Sequence, residues 1–339
     1  MSRPDEALTL TAFFAERERS AGRFLAEVLL ELFHSRGIAS SVMLRGIAGF
    51  GPANVIRSDR SLSLSEDPPV TVTAVDTAEP IAALADQVAA MTGRGLLTVH
   101  PTSLGSPPAD TGSVRVTLYL ARRQRVDGEP GYVAAIRVLQ RCGFAGAEAF
   151  LGVDGTVAGQ RRRARFFSSN STVPLVVSGV GRAAAAAIAI PELQALVPHP
   201  LLTVEPVLVC KQDGLTLATP ADLPGSQFQK LTVRTTEDAY HHGRPIHRAL
   251  IRRLKEADAS GATALRGLWG FHGSEEPHGD RFLQLTRQVP VSTVIIDTPQ
   301  NISAAFAIVD ELTAERGSVV CEAVPTVLAL RDDHGPGAR

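Results

Sequence analysis

Short runs that alternate apolar and polar residues are followed by stretches with apolar residues at helical spacing, and the chain passes through this pattern three times. Leu8, Leu10 and Ala12 alternate with threonines, and Val114, Val116 and Leu118 do the same around Arg115 and Thr117. A period of two predicts a strand at each place. Gly22, Gly128 and Gly243 then mark a turn. A helix follows. Phe24, Val28 and Leu32, with Leu25, Leu29 and Phe33, form an i, i+4 stripe, which Ile246, Leu250 and Leu254 repeat. Pro130 and Pro245 stand where a first-turn proline is tolerated. Each copy continues with a strand ("SSVMLRG", "AEAFLG", "ATALRG"), a polar loop and a third strand ("PVTVTAVD", "PLVVSGVG", "PVSTVIID"). A second helix includes "IAALADQVAAM" in the first copy and "ISAAFAIVDEL" in the third, and a last strand closes each unit.

The copies align almost without gaps. Setting Gly46, Gly152 and Gly267 in register gives offsets of 106 and 221, and the same offsets superpose the three turn glycines. One deletion in the second copy's loop then brings Pro69, Pro174 and Pro290 together. The order β-α-β-β-α-β is the ferredoxin-like split motif, an α+β unit with a four-stranded antiparallel sheet and both helices on one face. The strands carry apolar residues on both sides, so the second face must also be covered. Three linked units can cover one another as an intramolecular pseudo-trimer. The expected organisation is three repeats at 1–104, 114–210 and 229–330. Linkers rich in Pro, Gly and Ser lie at 105–113 and 211–228, and a mobile tail at 331–339.

Composition narrows the function classes. Apolar residues make up 44% and charged residues 20%, as in a globular protein. A net charge of −1 argues against a nucleic-acid partner and against an anionic membrane surface. The most apolar stretches, such as "AAAAAIAI" at 183–190, are too short to span a bilayer, so the protein is expected not to be membrane-embedded. "MSRPDEALTL" has no apolar core of a secretory signal, and Cys142, Cys210 and Cys321 follow no metal-ligand spacing. Both point to a reducing cytoplasm.

The candidate chemistry lies in a recurring motif: "MLRGIAGFG" at 43–51, "ALRGLWGF" at 264–271 and an eroded "AFLGVDGT" at 149–156. Gly46, Gly49 and Gly51 follow a strand and are matched by Gly267, Gly270 and Gly273. Glycines here permit positive φ and a close approach of backbone N–H groups to an anion, although such spacing also makes a plain turn. Arg45 and Arg266 precede the first glycine and can charge-pair a phosphate or carboxylate. Arg60, Arg165 and Arg281 align in otherwise dissimilar loops, either to meet a ligand or to tie the loop to a neighbouring copy. Phe50 and Phe271 either stack on a base or are buried.

In the second copy Leu151 replaces the arginine, and Asp154 enters the motif. Unequal clefts are therefore expected. That copy's basic loop, "QRRRAR" at 160–165, is either solvated or docks on an acidic surface. Five histidines fall in the third copy (His241, His242, His247, His272, His278), which keeps a metal-binding alternative open, although no metal site is assigned. No Gly-x-Ser-x-Gly elbow, His-Glu-x-x-His or recurring carboxylate pair is present, so no catalytic residues and no enzyme activity are expected.

"LRGIAGFG", the strand entry "LSEDPPV" at 64–70 and the βαββαβ frame together resemble the PII-like family catalogued as domain of unknown function 190, within the PII signalling superfamily. The resemblance implies a trimer fused into one chain and monomeric as a chain. It implies a small anionic metabolite, an adenine nucleotide among the candidates, in clefts between repeats; no cofactor beyond that ligand is implied. Loops at 48–63, 154–168 and 269–284 would order on binding and regulate a partner protein, a transporter or an enzyme. The competing readings are a metal-binding protein that uses the third-copy histidines and a scaffold whose sites have decayed.

Overall fold

A computed structural model describes residues 6–51, 55–58, 67–107, 112–164, 172–198, 200–223, 225–273, 275–279 and 288–330. The first repeat runs β1 (Glu6–Ala15), α1 (Leu25–Ser35), β2 (Ser40–Phe50), β3 (Pro69–Thr77), α2 (Ala78–Met91) and β4 (Gly95–Leu104). The second has β5 (Ser113–Ala121), α3 (Gly131–Arg141), β6 (Gly146–Leu151) continued by β7 (Asp154–Val157), β8 (Pro174–Arg182), α4 (Ala183–Leu196) and β9 (Leu201–Gln212). The third has β10 (Phe228–Thr236), α5 (Ile246–Glu256), β11 (Ala262–Arg266) continued by β12 (Trp269–His272), and β13 (Pro290–Asp297). It ends with α6 (Pro299–Leu312), β14 (Ser318–Val324) and β15 (Thr326–Leu330).

The turn glycines behave alike. Ala21–Gly22, Asp127–Gly128 and His242–Gly243 all have positive φ at both positions, the conformation that closes a two-residue hairpin. Each hairpin leads into the first helix of its repeat. Leu25, Leu29 and Phe33 of α1, and Ile246, Leu250 and Leu254 of α5, are buried as the stripe requires. Phe24 is exposed, so the stripe that includes Val28 and Leu32 flanks the core rather than forming it.

Within each repeat four strands pair antiparallel in one order. In the first it is β2-β3-β1-β4, with Met43 opposite Val72, and Leu10 opposite both Ala74 and Val99. The second and third follow as β6-β8-β5-β9 and β11-β13-β10-β14. Each repeat has its own apolar core, and these cores hold the buried residues of both helices of each repeat.

Two sets of strand extensions join the repeats. Past Arg45, which is still opposite Val70, β2 leaves its own sheet and pairs with β11 of the third repeat, placing Gly49 opposite Thr263 and Phe50 opposite Ala262. In the same way β12 of the third repeat pairs with β6 of the second, and β7 of the second pairs with β2 of the first. The last strands also cross, in the opposite sense: β4 reaches β9, β9 reaches β14, and β15 returns to β4. Every repeat is thus hydrogen-bonded to both others. The end of β9 is held to α6 by Lys211, which is 1% exposed and donates to the Asp310 carboxylate at 2.6 Å.

The face opposite the helices is covered, but its chemistry differs from the apolar layer the sequence suggested. Thr9, Thr98, Arg115, Thr117, Thr203, Glu205, Thr232, Arg234, Ser292 and Glu322 are all buried there. Thr9–His100, Arg115–Glu205 and Lys230–Glu322 are equivalent cross-strand pairs in the three repeats. Their charges interlock across repeats: Glu322 accepts from Arg115 at 2.6 Å and lies 2.7 Å from Lys230, while His100 lies 3.5 Å from Glu205. Burial alone would raise the Glu322 carboxyl, but Arg115 and Lys230 outweigh it and hold it down to about 2. A buried charge is tolerated only when it is paired in this way.

Candidate functional site: the joints between repeats

The glycine motif is the joint itself. A Cβ on Gly49 would lie 2.6 Å from the carbonyl oxygen of Ala262 in the third repeat and 2.9 Å from the Pro69 ring. A Cβ on Gly270 would lie 2.5 Å from the carbonyl of Ala147 in the second repeat and 2.8 Å from the Pro290 ring. Gly46 and Gly267 are crowded by the same two prolines and by carbonyls of Ala264 and Ala149. None of these four glycines adopts positive φ. Their lack of a side chain lets one repeat's strand lie against the backbone of the next, and that explains why the string recurs. In the second copy Gly152 and Gly155 press on Val42, Ser41 and Pro174 in the same fashion.

The motif aromatics serve the neighbour's core. Phe50, with Ile47 and Ala48, belongs to the core of the third repeat, and fully buried Phe271 to the core of the second. Phe50 retains one face on a cavity; Phe271 is walled in by the second repeat's apolar side chains. Arg45 and Arg266 are each paired with a glutamate of their own repeat. Arg45 donates twice to Glu16, at 2.8 and 3.1 Å, and Arg266 donates to Glu237 at 2.8 Å. Glu16 and Glu237 are equivalent positions. The second copy, with Leu151 and Arg122 there, lacks the pair. Arg60, Arg165 and Arg281 lie outside the described residues. Gly273 is not the structural counterpart of Gly51: the strand register gives that position to His272, and Gly273, one residue beyond, has positive φ beside Asp213, whereas Gly51 faces open space.

That open space is a cavity of about 320 Å³ between the first and third repeats. Its floor is the glycine-bearing strand, Gly49–Gly51, facing Gly261 and Thr263. Its walls are apolar, with Phe13, Val294 and Ile296, and charged groups edge it: Arg17, Arg57 and Arg94 together with Glu18 and Asp67. Arg57 pairs with Asp67 at 2.8 Å. The size falls at the low end of the range for small-molecule pockets, roughly 300–1,000 Å³. Arg17, Arg57, Arg94 and Thr263 were not singled out from the motif. Only the crossing of β2 onto another repeat brings them together.

The equivalent joint between the third and second repeats is filled. Arg234, 3% exposed, stands where Phe13 stands in the first repeat and donates from Nε to Glu148 Oε1 at 2.9 Å. Ser292 donates to the same oxygen at 2.6 Å. His272, in the position of Gly51, has both ring nitrogens buried without a partner among the described residues, as is Glu148 Oε2. Burial holds the His272 imidazole down to about 4, with Glu148 opposing and Arg234 reinforcing. At the joint between the second and first repeats, Thr156 donates to Ser41 Oγ at 3.0 Å, and Asp154 holds Arg161 at 2.7 Å. Arg163 of the basic loop reaches Glu27 and Asp154, and Arg161 reaches Glu31, so this loop's acidic surface is α1 of the same chain.

The five third-copy histidines do not converge. His241 and His242 sit on the hairpin, His247 is buried on α5, His272 is in the joint, and His278 contacts the carbonyl of Glu276. Among the described residues no group of three or more His, Cys, Asp or Glu side chains is placed to hold a metal. No helix among them is long and apolar enough to cross a membrane.

Comparison with known proteins adds the family. The family described as DUF190, Uncharacterized ACR, COG1993, matches residues 7–104, 113–209 and 228–326, one match per repeat. The chain belongs to the DUF190 family. It is also similar to a UPF0166 protein of Aquifex aeolicus (strain VF5), with 33% identity over 72 residues, which are 21% of this chain and 69% of the relative. The relative is therefore about as long as one DUF190 match in this chain.

Proposed function

We propose that this DUF190 protein is a PII-like ligand sensor, a closed pseudo-trimer of three ferredoxin-like units in one chain. It binds a small anionic metabolite between its first and third repeats. The observation that carries this reading is the cavity: an apolar slot floored by glycine backbone and edged by three arginines, Arg17, Arg57 and Arg94, against two carboxylates, Glu18 and Asp67. Apolar walls take an uncharged ring and guanidinium groups take a phosphate or carboxylate, which suits an adenine nucleotide. The two sets of crossing strands support the closed arrangement, and a relative of single-repeat length fits a fused form of a simpler unit. Arg57 lies on the segment that follows β2 and is paired with Asp67, so a ligand at Arg57 competes for that pair.

Titration calorimetry with ATP, ADP and AMP tests the proposal. Binding of one nucleotide per chain is expected, weakened on the order of tenfold by Arg94→Ala through loss of a charge-assisted hydrogen bond. Absence of heat with every nucleotide removes the nucleotide reading, and an unchanged affinity in Arg94→Ala removes the arginine edge from it.

A further inference from the structure

The three joints are made from equivalent strand positions, so the residues at those positions decide what each joint holds. Besides Phe13, which is Arg234 in the third repeat, two positions distinguish the open joint from the filled one. Where the first repeat has Gly51, the third has His272; where the third repeat has Thr263, the second has Glu148. A Cβ on Gly51 would meet nothing within 4 Å. We infer that Gly51 and Thr263 are the residues that keep a ligand slot open in this chain, and that Arg234, Glu148 and His272 are the internal occupants of a second slot of the same design. The inference rests on reading the cavity as a ligand site.

The chemistry of the occupants describes the missing guest. Guanidinium, carboxylate and imidazole are flat, and Glu148 and His272 stand opposite Gly270 and Gly146 in the paired strands, as Thr263 stands opposite Gly49 beside the open slot. A slot floored by glycine backbone and walled by Phe13 and Val294 suits a planar ring bearing an anionic end. The filled joint also retains unused polar capacity: Glu148 Oε2 and the two His272 nitrogens are buried without partners among the described residues. Buried polar atoms are nearly always satisfied when a site is built purely for packing. Here side chains occupy a polar space without using all of it.

Two probes with a flat ring and an anion, ADP and anilinonaphthalene sulfonate, separate this inference from the nucleotide reading. In the wild type each is expected to bind once per chain. The double variant Gly51→His with Thr263→Glu should lose at least tenfold in affinity for both while its urea unfolding stays cooperative. The reciprocal triple variant, Arg234→Phe with Glu148→Thr and His272→Gly, should bind a second equivalent. If the triple variant does not fold, the double variant alone decides. Binding of the sulfonate but not ADP, lost in the double variant, sustains the inference and removes the nucleotide reading. Wild-type affinity in the folded double variant, or no binding of either probe to the wild type, overturns the inference.

Discussion

The joint between the third and second repeats and the joint between the first and third share strand pairing, crowded glycines and a proline at the next strand. One is packed with Arg234, Glu148 and His272, and the other holds a cavity beside Phe13, Thr263 and Gly51. Backbone geometry is therefore common property of the motif, and whether a joint is filled or hollow is set by the few side chains that project from it. A recurring sequence string locates the joints. It does not say which of them is open.

The sharpest way to break the comparison is to remove one carboxylate. Glu148→Ala leaves the Arg234 guanidinium buried and unpaired, and a loss of about 3–5 kcal/mol in urea unfolding is expected. Thr263→Ala at the equivalent position of the open joint should cost within about 1 kcal/mol. Equal losses would show that the two joints do not differ in the way described.

Acid provides the next contrast. His272 is held at about 4 against an ordinary value of 6.5, so between those values the unfolded chain carries a proton that the folded chain refuses. Stability should fall as the pH drops from 6.5 to 4, by on the order of 3 kcal/mol, and this step should be absent in His272→Leu. Glu322, held down to about 2, contributes in a lower window: its share is present above 4.5 and is lost as the pH falls towards 2. Unfolding midpoints measured from pH 7 to 3 in both proteins check the first step, and an identical profile for His272→Leu would remove its assigned cause.

Smaller effects sharpen what the joints share. Gly49→Ala and Gly270→Ala each push a methyl group into a neighbouring repeat's carbonyl, and each should cost about 1–3 kcal/mol. Gly51→Ala, which meets nothing, should be nearly neutral in denaturant titration. A large loss at Gly51 would contradict the open slot. Least of all, Arg45→Ala should change stability by about 0–1 kcal/mol, because its pair with Glu16 is exposed.

Much of the architecture could be read from periodicity. The alternation around Leu10, the stripe of Leu25, Leu29 and Phe33, and the turn at Gly22 are local signals, and local physics decides them. The role of the glycines was harder to read, because a glycine chosen for an anion and one chosen for a neighbouring carbonyl look identical in one chain. Phe50 and Phe271 were ambiguous for the same reason: the core they enter belongs to another repeat. Arg17 and Arg94 sit in a turn and before a strand, and nothing local marks them; the cavity they border exists only after two repeats meet. The apolar layer expected between the sheets was misjudged because threonine alternates in strands as readily inside as outside, and its burial depends on a partner sheet.

The crossing of β2, β7 and β12 from repeat to repeat has a further consequence for how such a molecule can change. In a ring of identical subunits every substitution is made three times at once, so any residue that closes one crevice closes all of them. When the three units are written in a single polypeptide, each crevice has its own pair of codons. One seam can be welded with ions and another left hollow, and neither choice constrains the other.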